Sequence, residues 1–267
     1  MIRTALHYHR PLTPAAASVI LAEYAGNAAV LGGGTLLLPM LNRNELRVSH
    51  IVDLAELGLT DIAVTDTHVE IGARVTYYDV LRSVLLNGTA PLLQHVARGV
   101  TGGRQILQQA TLVGSACLNS PTTEMPSVFA AMRARMRVHG PSGIREIAFD
   151  EFLLDANKVD LRPGEFVVSA AFERHTRSGY YKIKHSAGSW PIATASVLRD
   201  PGTALFSVTL GAVEALPRRI EFDGAVPLER IVADAIASPW SDVLAPGSYR
   251  AAIAPVAARR AFSSFWD

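Results

Sequence analysis

Three consecutive glycines, Gly32, Gly33 and Gly34, interrupt an apolar run from Ala28 to Leu41, and nothing else in the chain constrains its fold as strongly. Glycine enters left-handed backbone at no steric cost, so a Gly-Gly-Gly run breaks strand and helix alike and reads as a turn. Ahead of it, Ala28 to Leu31 predicts a short strand; behind it, Thr35 to Leu41 predicts a helix. Pro14 to Tyr24 predicts an earlier helix, with Thr13 as N-cap and Gly26 as stop, and His50 to Leu54 predicts the next strand. This alternation gives a small βαβ unit with a parallel sheet. Backbone N–H groups in Val30 to Leu38, VLGGGTLLL, suit close approach of a phosphate. The run is not GxGxxG, and no Lys follows as in a Walker loop. On spacing alone, a ligand-free tight turn explains it equally well.

Downstream the pattern changes. Asp61 to Val64 and His68 to Gly72 flank the polar turn Thr65, Asp66 and Thr67, predicting an antiparallel hairpin. Thr76 predicts a helix start running to Asn87 with Gly88 as its stop, and Pro91 to Arg98 predicts another helix. Val167 to Glu173 reads as a strand, and His175 to Gly179 as a polar link. Ile192 to Arg199 and Ala204 to Leu210 read as strands joined by Asp200, Pro201 and Gly202. Tyr249 to Phe265 predicts a last helix, with Ser248 as N-cap and Pro255 as a kink. The expected class is α+β: a small parallel unit, a larger antiparallel unit, and a C-terminal antiparallel sheet with helices.

Composition narrows the functions open to such a chain. At 267 residues and 49% hydrophobic it can bury a substantial core, which excludes disorder as its main state. Its 25 Lys and Arg are balanced by 24 Asp and Glu, so nucleic acid is a poor partner. The glycines and Pro39 break the longest apolar stretch well short of the ~18 to 20 residues of a membrane span, so no span is expected. The N-terminal sequence does not read as a secretory signal, and a cytoplasmic location is expected. Cys117 is the only cysteine, which excludes an internal disulfide and any iron–sulfur cluster held by this chain alone.

A second segment with chemical potential is Ala110 to Pro126, ATLVGSACLNSPTTEMP. Its small residues surround Gly114; Thr111, Ser115, Asn119 and Ser120 offer donors to phosphate or ribityl oxygens, and Glu124 an acceptor for a sugar hydroxyl. A polar surface loop ahead of a helix near Pro126 is the plainer reading. His7 and His9 have metal-pair spacing but lack an evident third ligand, and Cys117 reads as a packed thiol. Arg133, Arg135 and Arg137 alternate as on a strand with a solvent face. Of Tyr180 and Tyr181, strand geometry lets one point toward a ligand. Lys184 and His185 read as a solvated edge or as part of a basic docking patch.

Taken together, these segments resemble the FAD-binding medium subunit of the molybdenum hydroxylases, the xanthine dehydrogenase and carbon monoxide dehydrogenase family. The family's A-G-G-x-S/T-L-like loop matches Gly32, Gly33, Gly34, Thr35 and Leu36; its T-I-G-G-N-like loop matches Thr111, Leu112, Val113, Gly114 and Ser115, leading to Glu124, Met125 and Pro126. GEFVVS (Gly164 to Ser169), YYKIKHSAGSWPIATASV (Tyr180 to Val197) and SDVLAPGSYR near the C-terminus continue the match in register.

The resemblance implies a PCMH-type FAD-binding fold, with an FAD-binding domain over 1–178 (subdomains about 1–56 and 57–178) and a C-terminal α+β domain over 179–267. It implies that FAD contacts Val30, Leu31, Gly32, Gly33, Gly34, Thr35, Leu36 and Leu37, then Thr111, Leu112, Val113, Gly114 and Ser115, with Glu124, Val167 and Lys182 near the cofactor. Lys182 becomes the candidate for tuning the flavin. The implied partners are an iron–sulfur small subunit and a molybdopterin large subunit, with electrons leaving to a small-molecule acceptor such as NAD or a quinone. Val113 stands where the family has glycine, Leu107 and Gln108 where Arg-Asn is common, Ser189 for Asp and His185 for Arg. Val113 in particular predicts crowding of a phosphate and weaker FAD binding. A stand-alone flavoenzyme and a scaffold that has lost FAD are the alternatives.

Overall fold

The parallel unit forms around the glycine turn. The computed structural model describes residues 2, 5–200, 202–203, 205–223 and 227–266. Strands β1 (His7–His9), β2 (Ala28–Leu31) and β3 (His50–Asp53) make a parallel sheet in the order β1-β3-β2, with His50 opposite both His7 and Ala28. Helix α1 (Pro14–Glu23) starts as predicted, Thr13 Oγ1 accepting from the Ala16 N–H at 3.2 Å. Helix α2 (Leu37–Asn42) begins later than the sequence predicts, because Gly34 is left-handed at φ +76° and the chain must turn before helical bonding starts. One sheet face carries Ala29, Leu31 and Ile51 against Leu41 and Val48.

The antiparallel unit follows. Strands β4 (Ile62–Val64) and β5 (His68–Gly72) form the expected hairpin, closed by the Thr65 N–H on the His68 carbonyl and the His68 N–H on Thr65 Oγ1. Helix α3 (Tyr77–Arg82) opens with a reciprocal capping box between Thr76 and Asp79. It ends before Asn87: Ser83 turns extended, and a single 3-10 turn spans Val84–Leu86. Buried Gln94 accounts for the break, its amide donating to the Val80 and Ser83 carbonyls and to Asn87 Oδ1.

Helices α4 (Pro91–Gly99), α5 (Gly103–Gln109), α6 (Leu112–Leu118) and α7 (Met125–Ala131) precede strands β6 (Arg135–Gly140) and β7 (Gly143–Ala148), helix α8 (Phe149–Phe152), the hairpin β8 (Leu153–Asp155) and β9 (Lys158–Val159), and β10 (Phe166–Glu173). The sheet order is β4-β5-β10-β6-β7, all antiparallel. Val69, Ile71, Met136, Val138 and Phe172 on its inner face join Leu92, Val96, Leu112 and Phe129 of the helices in one apolar core. Arg133 lies ahead of β6, left-handed at φ 48°, and pairs with Asp200 and Glu221 at 3.1 Å each; Arg137 pairs with Glu70. Arg135 and Arg137 alternate on β6 with their side chains toward solvent, as expected, while Arg133, also exposed, lies outside the strand.

The last sheet is the meander β11 (Gly179–Lys184), β12 (Pro191–Arg199), β13 (Phe206–Gly211) and β14 (Arg218–Phe222). Pro201 and Ala204, part of the expected turn and strand, lie outside the described residues. Helix α9 (Leu228–Ala235) and helix α10 (Gly247–Ser264) cover one face, Ala254, Ala257, Ala258 and Ala261 packing on Ala193, Ala195, Val197, Val208 and Leu210. Helix α10 is capped at Pro246, two residues before the expected Ser248, because the Arg250 and Tyr249 N–H groups already bond the Pro246 carbonyl. The SDVLAPGSYR motif has a structural explanation: fully buried Arg250 donates to the Ile192 and Ala212 carbonyls and to Asp242 Oδ1. The Leu244 N–H, then Arg250 and the Ala245 N–H, hold Asp242 below the usual carboxylate range against the opposing effect of burial. Among the described residues no helix is long and apolar enough to cross a membrane.

Candidate functional site

The glycine turn comes to lie against the chain entering α6. A Cβ built on Gly33 would sit 1.7 Å from the Gln109 carbonyl oxygen, and one on Gly32 would sit 3.1 Å from Thr111 Oγ1. The two segments that sequence pattern singled out therefore touch through backbone that only glycine permits. Among the described residues, no hydrogen bond uses the N–H of Gly33, Gly34, Thr35 or Leu36, so these donors remain for a ligand.

The second segment is not a loop. Thr111 is the N-cap of α6, its Oγ1 accepting from the Gly114 N–H, while the Leu112 N–H bonds the Val75 carbonyl. Gly114 is required here, since a Cβ would lie 2.5 Å from Thr111 Oγ1. Val113 is 2% exposed and packs in the apolar core with Leu112 and Ala116. Its side chain does not enter the cleft, which corrects the expectation that it crowds a phosphate.

Beside these segments opens a cleft of about 280 Å³. Thr35 and Leu36 of the glycine turn, Ser115, Glu124 and Lys182 all line it. Val100, Ile106, Ala110 and Trp190 add apolar wall, and Thr101, Thr123 and Ser189 add hydroxyls. Val30, Leu31 and Leu37 are half-buried around the turn, while Val167 sits in the core on β10, opposite Val138, and is not among the lining residues. Asn119 is spent elsewhere, donating to the Asp155 and Lys158 carbonyls, and Ser120 bonds Thr122. Lys184 donates to the Ala187 carbonyl and His185 bonds the Leu244 carbonyl.

The cleft floor carries a charge pair. Lys182 Nζ lies 2.7 Å from Glu124 Oε1, with side chains 9% and 12% exposed, and also donates to the Gly99 carbonyl at 2.7 Å. Tyr180 donates to the same Glu124 oxygen at 2.6 Å. Burial, then the adjacent carboxylate, push the Tyr180 hydroxyl well above the usual tyrosine range. Tyr77, also lining the cleft, is raised chiefly by burial, against a bond to Ser115. Tyr181 lies on the other strand face and bonds Arg260, so one tyrosine of the pair points to the site, as alternation predicts.

Sequence reasoning missed Tyr77, the Gly99 carbonyl and the wall from Val100 to Ala110. The capped start at Thr76 followed by an aromatic residue was the available signal for Tyr77. Burial pushes the Cys117 thiol up to about 12, which accords with its reading as a packed thiol. His9 Nε2 and His50 Nδ1 bond each other at 2.9 Å, and among the described residues no group of three or more His, Cys, Asp or Glu could hold a metal.

A family model described as the FAD binding domain in molybdopterin dehydrogenase matches residues 4–172. The chain belongs to that family. This FAD-binding subunit is 26% identical over 284 residues to the carbon monoxide dehydrogenase medium chain of Hydrogenophaga pseudoflava, covering 100% of the chain and 99% of the relative. It is 29% identical to the medium chain of the same name from Afipia carboxidovorans, covering 98% and 96%. A crystal structure of Cu,Mo-CO dehydrogenase in a cyanide-inactivated form superposes with a TM-score of 0.91 at 28% identity over 99% of both chains. The chain is thus an FAD-dependent oxidoreductase subunit of the molybdenum hydroxylase type, with the fold of CO dehydrogenase medium chains.

The residues present fit FAD. Unspent N–H groups at a glycine turn suit a diphosphate, hydroxyls suit a ribityl chain, and an apolar wall above a buried ammonium suits a flat ring that gains negative charge on reduction.

Proposed function

We propose that this chain takes electrons from an iron–sulfur small subunit, supplied by a molybdopterin large subunit, and hands them to a small acceptor such as NAD or a quinone. FAD, when bound, supplies a carrier able to exchange electrons singly or in pairs. The observation that carries this reading is the cleft itself, where the glycine turn, the Ser115 helix and the Glu124–Lys182 pair converge. End-to-end coverage of two CO dehydrogenase medium chains supports it. A chain with one cysteine holds no cluster alone, so the neighbouring electron carriers belong to partners. The same cysteine count accords with a reducing, cytoplasmic setting.

In this reading the free N–H groups of Gly33 to Leu36 hold the diphosphate, with Val30, Leu31, Gly32 and Leu37 shaping the turn. Thr111 to Ser115 flank the ribityl chain. Glu124 and Lys182 fix the charge beneath the ring, while Val167, buried on β10, takes no part in the cleft wall. The FAD-binding domain spans 1–178 and the C-terminal domain 179–267. Val113, buried away from the cleft, gives no support to a scaffold that has lost FAD.

The test is to purify the tagged full chain from its native host, record the visible spectrum before and after adding FAD, and identify the copurifying subunits. Flavin bands with an iron–sulfur partner are expected. Flavin retained with no partner would instead make this a stand-alone flavoenzyme, and a chain colourless under both conditions would refute cofactor binding.

A further inference from the structure

We propose that Tyr180 is a positioning residue for the flavin chemistry: its hydroxyl holds Glu124 so that the positive charge of Lys182, rather than the carboxylate, dominates the cleft. The inference rests on the FAD reading above and deepens it. Tyr180 is not among the residues lining the cleft, so it acts through Glu124.

Four observations carry the argument. Glu124 stands at the N-cap of α7, where an acidic side chain ordinarily accepts from its own helix; here it makes no such bond. Its Oε1 is spent instead on two donors of β11, Tyr180 at 2.6 Å and Lys182 at 2.7 Å. These residues are two apart on one strand and share a face. Tyr180 is itself anchored, its N–H donating to Ser264 Oγ on α10 at 3.1 Å.

Lys182 spends two of its three N–H bonds, on Glu124 and on the Gly99 carbonyl. Gly99 presses on it, since a Cβ there would lie 3.0 Å from Nζ. The third N–H is left for the cleft. Two charges of opposite sign thus sit side by side in a poorly hydrated floor, where small changes in either one's field are weakly screened. A phenol donating to the carboxylate disperses its negative charge and turns Oε1 toward β11. Without that donor the carboxylate opposes the negative charge that FAD gains on reduction.

The experiment is an absorbance-monitored redox titration of the flavin in the full chain with its copurifying subunits. Wild type, Tyr180→Phe, Glu124→Gln and the double variant are compared, and bound FAD is quantified in each. Tyr180→Phe is expected to keep FAD and to lose about tenfold in preference for the reduced cofactor, a shift of ~30 mV to more negative potential for a two-electron couple. In the Glu124→Gln background the same change is expected to add nothing. A purely structural tyrosine would lower thermal stability and weaken both redox forms alike without moving the potential, and that result overturns the proposal. So does an equal shift in both backgrounds. Should Glu124→Gln not fold, Glu124→Ala replaces it, since it also removes the carboxylate that Tyr180 holds, and the effect of Tyr180→Phe is expected to vanish there too. A wild-type complex without FAD refutes the cofactor reading and this inference together; a flavin-containing wild type with an unshifted Tyr180→Phe refutes only the inference.

Discussion

Gly33→Ala tests how tightly the two halves of the site are joined. A methyl on Gly33 would stand 1.7 Å from the Gln109 carbonyl oxygen and 2.7 Å from its carbon. Both are backbone atoms, so no side-chain rotation relieves the clash. An ordinary contact at roughly 3.2 Å requires the glycine turn and the entry to α6 to part by about 1.5 Å, a typical overpacking cost of ~1–3 kcal/mol. A chain of this size is expected to remain folded, with its melting point lower by ~4–8 °C for a loss of ~2 kcal/mol. Cofactor retention is expected to suffer more, because parting the walls by that distance removes the diphosphate donors from register with Thr111 to Ser115. Gly32→Ala is the matched control: its Cβ would lie 3.1 Å from Thr111 Oγ1, a side-chain atom. Calorimetric melts and flavin absorbance after gel filtration measure both effects. Equal melting points and equal FAD content in the two variants would refute the claim that these segments are packed backbone to backbone.

Three further outcomes follow from the packing. His50, held below the ordinary histidine range by burial and by His7 and His9, stays neutral in the fold, so its contribution is present above about pH 6.5 and is lost as pH falls through that region; melts between pH 7.5 and 5 should show the decline, and His50→Asn should flatten it. Arg250→Met removes the side-chain donor to the Ile192 and Ala212 carbonyls and the cation paired with Asp242 and is expected to cost ~3–5 kcal/mol in urea unfolding. Val113→Gly, which restores the family's glycine, is expected to destabilise by ~2–4 kcal/mol through lost helix propensity and lost burial without raising FAD content in the spectrum; an increase would show that Val113 does obstruct the cofactor.

Local rules carried the sequence reading wherever the decisive partner lay nearby. Thr13, the Thr65 hairpin and the Thr76–Asp79 box each act within three residues, and each element starts within one residue of where the pattern places it. The reading failed where a distant group intervened. Gln94 ends α3 from another helix, and Asp200 and Glu221 draw Arg133 out of its expected strand row. The Ala110 to Pro126 segment looked like a loop because Gly, Ser and Thr dominate it. Its Thr111 cap and its Leu112, Val113 and Ala116 core contacts outweigh those weak helix formers. Lys182 and Glu124 were both singled out, yet nothing in sequence spacing places residues 58 positions apart in one ion pair.

That ion pair joins the two parts of the chain beside a buried, small-residue seam. Helix α7 begins at Glu124 and lies on β12 and β13 through Ser127, which approaches Thr194 Oγ1 at 3.3 Å, and a Cβ on Gly211 would lie 2.4 Å from Ser127 Oγ. Ser196 and Thr209, paired across β12 and β13, are fully buried. Larger side chains on either surface would lift α7 from the sheet, and its N-terminus carries the carboxylate that meets β11. Close packing at Ser127 and Gly211 therefore sets how near Glu124 comes to Lys182, so the C-terminal sheet contributes more than one lysine to the site. It fixes the height of the cleft floor, since α7 carries Glu124 only as near to β11 as the seam lets it approach.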